Sequence, residues 1–175
     1  MDKPITKLHF KLMAWSYIFR DLVSPRKNIL LEAGIKSGFH VLDYGCGPGS
    51  YILPLAELVG TSGKIYALDI HPLAIQTVQG LAKKRDFTNV ETILSDCDTG
   101  LSDTAIDAVL LYDTLHDLHD PDRVLKEFHR VLKPGAILSL SDHHMKGEDI
   151  TSKVTSSNLF TLSAMDNKTY TFSKL

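Results

Sequence analysis

One short stretch constrains this chain more than any other: Val41-Leu42-Asp43-Tyr44-Gly45-Cys46-Gly47-Pro48-Gly49-Ser50. Phe39, Val41 and Leu42 suit a buried strand. The glycines at alternate positions let the backbone turn sharply and come close to a ligand, and Tyr51 to Leu58 resumes as a helix. Strand, turn and helix in that order are the context of a nucleotide-type cofactor loop. Glycine also serves strand-to-helix turns for steric reasons alone, so the rest of the chain has to decide.

A length of 175 residues with 43% hydrophobic and 23% charged content describes one globular unit with enough chain to bury a core. The net charge of -2 provides no global field for RNA or DNA, so no nucleic-acid partner is expected. Cys46 and Cys97 are the only cysteines, too few for a disulfide framework or a four-cysteine zinc site, and a reducing, cytoplasmic setting is expected. No window reaches the roughly 20 apolar residues of a membrane span, and the start of the chain lacks a secretory-signal pattern.

Between Ile5 and Val23, Leu8, Leu12, Trp15, Phe19 and Leu22 fall on one face at helical spacing, with Lys7, Lys11 and Arg20 elsewhere on the wheel. Such a stripe is most often a packed face; lying on a membrane or capping a cleft are the other readings. Arg26 to Ala33 forms a second short helix ended by Gly34. Beyond the glycine loop, Lys64 to Ile70 reads as a strand with Asp69 at its end, 24 residues past Gly45. That placement suits a carboxylate holding ribose hydroxyls, a surface aspartate being the plainer alternative. Pro72 to Asp86 is a helix, Asn89 to Leu94 a third strand followed by Asp96, and Ala105 to Tyr112 a fourth, leading into Asp113, Thr114, Leu115 and His116. Pro121 to Leu132 is a helix, and Ala136 to Leu140 a fifth strand running into Ser141-Asp142-His143-His144.

Five strands alternating with helices predict a parallel α/β sheet covered on both faces. After a polar stretch from Lys146 to Ser157, residues 159–162 and 169–172 alternate as an antiparallel hairpin. The fold class expected is therefore α/β: a Rossmann-like, doubly wound, seven-stranded sheet, mostly parallel, with a terminal antiparallel β-hairpin and helices on both faces. Residues 1–37 are expected to form a helical cap and residues 38–175 the cofactor-binding unit.

With these motifs in place the chain resembles the class I S-adenosylmethionine-dependent methyltransferases, in particular the small-molecule type that includes the ubiquinone and menaquinone biosynthesis enzymes. The resemblance covers most of residues 26–144. Asp43-Tyr44-Gly45-Cys46-Gly47-Pro48-Gly49 is similar to that family's acid followed by alternate glycines, whereas a dinucleotide fingerprint wants glycine where Ser50 stands. Ala67-Leu68-Asp69-Ile70, Ser95-Asp96-Cys97, Leu115-His116-Asp117-Leu118 and Arg130 to Ala136 resemble its later signatures.

The resemblance implies S-adenosyl-L-methionine as cofactor and S-adenosyl-L-homocysteine as product. It implies a donor site of Asp43, Gly45, Cys46, Gly47, Gly49, Asp69, Ile70, Asp96, Cys97 and Tyr112. Tyr112, Asp113 and His116 are the catalytic candidates, since the end of the fourth strand faces the donor methyl in that family; the plainer reading is that Asp113 and His116 only shape the loop. Trp15, Tyr17, His116 and His143 are candidates for holding a small-molecule acceptor. The cleft is expected to be covered by the amino-terminal helix or by a second copy or partner chain. Asp113, His116, Asp117, His119, Asp142, His143 and His144 gather potential metal ligands, but their spacing does not match the metal-dependent subgroup, and no metal is expected. The competing functions are a non-catalytic cofactor-binding subunit, which the fold alone leaves open, and an NAD-dependent oxidoreductase, disfavoured by Ser50 and the hairpin.

Overall fold

Strands form where apolar and β-branched residues run together between turn residues. The computed structural model, which describes residues 6–10, 12, 15, 17, 26–166 and 169–175, follows that pattern. In chain order its elements are α1 (Lys27–Glu32), β1 (His40–Tyr44), α2 (Ile52–Val59), β2 (Lys64–Asp69), α3 (Pro72–Lys84), β3 (Val90–Leu94) and β4 (Ile106–Tyr112). A short 3-10 turn (Leu115–Asp117) follows, then α4 (Pro121–Val131), β5 (Leu132–Ser141), α5 (Gly147–Thr155), β6 (Phe160–Met165) and β7 (Tyr170–Lys174). The strands make one sheet in the order β3-β2-β1-β4-β5-β7-β6. Strands β1 to β5 run parallel, and β7 inserts antiparallel between β5 and β6.

Alternation along each strand divides the apolar side chains between two cores. Leu42, Tyr44, Tyr66, Leu68, Val109 and Leu111 face one way and pack with Phe128 of α4 and Val154 of α5. Val41, Ile65, Ala67, Ala108, Leu110 and Tyr112 face the other way, against Leu30 of α1, Leu55 of α2 and Val78 of α3. Burying a single side chain of this size is worth about 1.5–3 kcal/mol, so the two cores together hold the sheet rigid under the loops it carries. Tyr44 joins core to loop: its ring meets Phe128 edge-on at 4.9 Å, and its hydroxyl donates to the Asp96 carbonyl at 2.5 Å. The strand order reverses direction at β1, with β2 on one side and β4 on the other, and that switch point opens the crevice where open parallel sheets take ligands.

Three expectations need correction. The polar stretch 146–157 contains helix α5, because Ile150 and Val154, four residues apart, are buried, while Glu148 and Asp149 in the first turn and Lys153 in the last suit the helix dipole. Strand β5 begins at Leu132, which pairs with Ile106, and the ladder resumes at Ile137 opposite Ala108. Lys133 to Ala136 form the irregularity between these pairs, where Pro134 removes no needed ladder bond. The third concerns the amino-terminal stripe: residues 7–10, 12, 15 and 17 are helical, yet Leu8, Leu12 and Trp15 are exposed, and Phe10 is the buried side chain. Phe19 and Leu22 lie outside the described residues. Among the described residues no helix is long and apolar enough to cross a membrane.

Candidate active site

The glycine loop is held where β1 and β2 end side by side. Amides of Gly45 and Cys46 both donate to the Leu68 carbonyl, at 2.8 and 3.0 Å. The Gly47 amide donates to Asp69 Oδ2 at 2.9 Å, and the His71 amide to Asp69 Oδ1 at 2.7 Å. Asp69 thereby ties the loop to the start of α3, and each of its oxygens keeps a second lone pair for a ligand hydroxyl. Gly45 and Gly47 both adopt the left-handed backbone, with φ of 75° and 52°. A Cβ at Gly45 would press on the Thr114 side chain at 2.5 Å, whereas one at Gly47 would meet nothing within 4 Å. The space over Gly47 is thus open for a ligand. Gly49 serves packing instead: a Cβ there would come within 3.1 Å of Val78 and 3.3 Å of Ile52.

Asp43, one strand over from Asp69, is 2% exposed, and its Oδ2 has no hydrogen-bond partner among the described residues. Burial, and then the neighbouring Asp69 charge, push its pKa up to about 7. Burial also raises Asp69, opposed by the amides of His71 and Gly47. Asp43 and Asp69 thus stand on neighbouring strand ends on either side of the glycine loop.

A cavity of about 330 Å³ opens over this loop, walled by Gly45, Gly47, Asp69, Ile70, His71, Asp96, Thr114, Asp117 and, from the amino-terminal helix, Phe10 and Tyr17 among others. A smaller recess beside it brings together Tyr17, Asp43, Cys46, Tyr51, Tyr112 and Asp113. Of the residues singled out from sequence, Asp43, Gly45, Cys46, Gly47, Asp69, Ile70, Asp96, Tyr112, Asp113 and Tyr17 line one or the other. Cys97, Gly49, His116 and His143 line neither; Cys97 is buried in the core on the α4 side. Trp15 is 74% exposed and lines neither space. The Tyr112 hydroxyl is bonded to Ser139 at 2.8 Å and buried, and burial raises its pKa far above the ordinary tyrosine range, which favours the protonated form.

His71 and Phe10 are the residues that sequence reasoning passed over. His71 caps α3, its Nδ1 accepting the Leu73 amide at 3.1 Å, and its ring stacks on Phe10 at 4.6 Å and 26°. A side-chain acceptor immediately before Pro72 was the available signal for the cap. Phe10 and Tyr17, seven apart, were the signal for a second helix face.

At the neighbouring strand ends, carboxylates meet imidazoles. Asp142, its side chain fully buried, accepts from the His116 amide at 3.0 Å and the His144 amide at 3.0 Å, and lies 2.8 Å from His116 Nδ1. Burial would raise it, but the hydrogen bonds from His116 and the two amides outweigh that and hold it below the usual carboxylate range. Asp113, with φ of 51°, accepts the His143 amide at 3.2 Å and lies 2.7 Å from His143 Nδ1. The His144 ring stands 4.3 Å from His116 and 3.8 Å from His143. His116 thus faces a carboxylate on each side of its ring, Asp142 at Nδ1 and, 3.6 Å from Nε2, Asp117, a residue of the cavity wall. Among the described residues no three His, Cys, Asp or Glu side chains are grouped to hold a metal ion.

Comparison with known proteins shows the family. Residues 35–171 match the methyltransferase domain family. The chain is 32% identical over 130 residues to a demethylmenaquinone methyltransferase of Geobacillus stearothermophilus, covering 74% of this chain and 56% of that protein. It is 36% identical over 131 residues to the chloroplastic 2-phytyl-1,4-beta-naphthoquinone methyltransferase of Arabidopsis thaliana, covering 72% and 50%. It spans about half the length of these curated relatives. Among solved structures, a SAM-dependent methyltransferase from Aquifex aeolicus superposes with a TM-score of 0.76 at 25% identity, covering 92% of this chain and 96% of that one. With its family match reaching from just before β1 into β7, the chain belongs to the methyltransferase domain family.

Proposed function

We propose that this protein is an S-adenosylmethionine-dependent methyltransferase acting on a small, apolar acceptor of the quinone class. The observation that carries the donor side is the unmatched, buried Asp43 carboxyl beside an open glycine cradle anchored by Asp69. These residues fit the cofactor. Asp43 would receive its ammonium group, Gly45 and Gly47 would admit its methionine part, Asp69 would use its free lone pairs for the ribose hydroxyls, and Ile70 and Asp96, on the cavity wall, would face the base. When bound, the sulfonium supplies a methyl group already activated for in-line displacement.

The chain's own work is alignment, exclusion of water and, where the acceptor must lose a proton, its removal. Phe10 and Tyr17 roof the cavity and make it drier. His116 Nε2 is the proposed base: Asp142 would orient the ring by accepting a hydrogen bond from Nδ1–H and would stabilise the charged form as the proton arrives. Asp142 is a positioning residue. Asp113 and His143 shape the acceptor side, and residues 1–37 act as the cap. The quinone class is proposed from the names of the relatives, which call one a demethylmenaquinone and another a naphthoquinone methyltransferase. A cytoplasmic setting, with both free thiols buried and reduced, is proposed with it.

Calorimetry with S-adenosylhomocysteine and, separately, NADH tests the cofactor. Binding of the first alone is expected, and saturable binding of NADH instead would overturn the reading. Transfer of a labelled methyl group to a reduced naphthoquinone tests the acceptor, with a His116→Gln variant expected to bind cofactor normally and lose turnover. A binding-competent wild-type protein that transfers to no acceptor in such a screen would favour the non-catalytic subunit.

A further inference from the structure

The amino-terminal helix presents two different faces. Phe10 is buried against His71, and Tyr17, seven residues on, lies on the cavity wall. On the other side Leu8, Leu12 and Trp15 are 70%, 62% and 74% exposed. One exposed leucine is ordinary, but large apolar side chains at i, i+4 and i+7 make a continuous stripe, and the sequence repeats the spacing at Phe19 and Leu22.

Charge selects what covers the stripe. Residues 1–25 carry Lys3, Lys7, Lys11 and Arg20 against Asp2 and Asp21, in a chain whose net charge is -2. Lys7 is exposed next to Leu8. A second copy docked face to face would bring two net-positive segments together, whereas an anionic lipid surface attracts such a segment while the leucines and tryptophan enter the headgroup boundary. We propose that the Leu8, Leu12, Trp15 face docks on an anionic membrane surface. The opposite face of the same helix then stands at the cofactor cavity, so the cavity mouth is held beside the bilayer. The docking follows from the helix alone and does not depend on the acceptor's identity.

Trp15 is the only tryptophan in the chain, so its fluorescence reports on this face directly. The full chain is titrated with phosphatidylcholine vesicles and with vesicles containing about one-quarter phosphatidylglycerol. Co-sedimentation and a blue shift are expected with the anionic vesicles only, weakening as salt is raised. A Leu8→Ser/Leu12→Ser variant should lose about tenfold or more in partitioning, and Lys7→Glu about fivefold, both with unchanged S-adenosylhomocysteine affinity. Failure of the wild type to bind anionic vesicles, or equal binding by the double variant, would overturn the proposal. So would a blue shift without vesicles that grows with protein concentration, which would identify a second copy as the occupant. Vesicle binding by a chain that ignores S-adenosylhomocysteine supports the docking and overturns the cofactor assignment instead.

Discussion

Two pairs of neighbouring parallel strands end in aspartates, and the two pairs are satisfied in different ways. At β1 and β2, Asp69 takes its hydrogen bonds from peptide amides, and Asp43 keeps an oxygen unmatched. At β4 and β5, Asp113 and Asp142 take theirs from amides and from imidazoles as well. The first pair is held by backbone amides and leaves one carboxyl oxygen without a partner among the described residues; the second is closed by side chains that reach across from the neighbouring strand end. On the function proposed above, the first would hold the donor and the second would handle the acceptor.

Substitutions can break this comparison. The largest effect is expected at Gly47. Alanine there meets no neighbouring atom, so folding should change by only about 1 kcal/mol from the left-handed backbone, while cofactor affinity falls about a hundredfold as the added methyl fills the cradle. Thermal melting beside calorimetry separates the two, and a parallel loss of both would mean that the loop is structural. Next, Asp142→Asn should lower turnover about 10- to 100-fold with cofactor affinity unchanged, because His116 loses its orienting charge. The pH-rate profile should shift with it, which a purely structural role would not produce; loss of affinity together with turnover would erase the boundary between the halves.

The smallest effect is a pH dependence confined to the donor side. Asp43 must ionise to meet an ammonium group, and its pKa stands at about 7. Cofactor affinity should therefore weaken as pH falls below that value, by at most about tenfold per pH unit. Asp43→Asn should bind weakly at every pH and abolish the slope. Stability of the unliganded protein runs the opposite way: the folded carboxyl holds a proton that the unfolded chain releases between about 4 and about 7, so stability declines as pH rises through that window.

Much of the geometry at the ends of β1 and β2 was readable in advance because its logic is local. A strand, alternate glycines and an acid at the next strand end are fixed by backbone sterics and by the adjacency of parallel strands, as Asp43, Gly47 and Asp69 illustrate. The ends of β4 and β5 were less legible. That His116 pairs with Asp142, and His143 with Asp113, depends on the register of β4 against β5 and on which way each loop turns, neither of which spacing reveals. Helix α5 was hidden because two buried residues, Ile150 and Val154, organise an otherwise polar segment. The amino-terminal helix was misjudged because it has two apolar faces, and the more regular stripe is the outer one.

Asp113 holds a left-handed backbone while tethering His143, so one residue carries both a backbone cost and the bonds that offset it. Glycine there would relieve about 0.5–1 kcal/mol of strain, but it would remove two hydrogen bonds to His143 worth about 0.5–1.5 kcal/mol each. The melting temperature is therefore expected to fall slightly, and the turn that carries His143 to loosen.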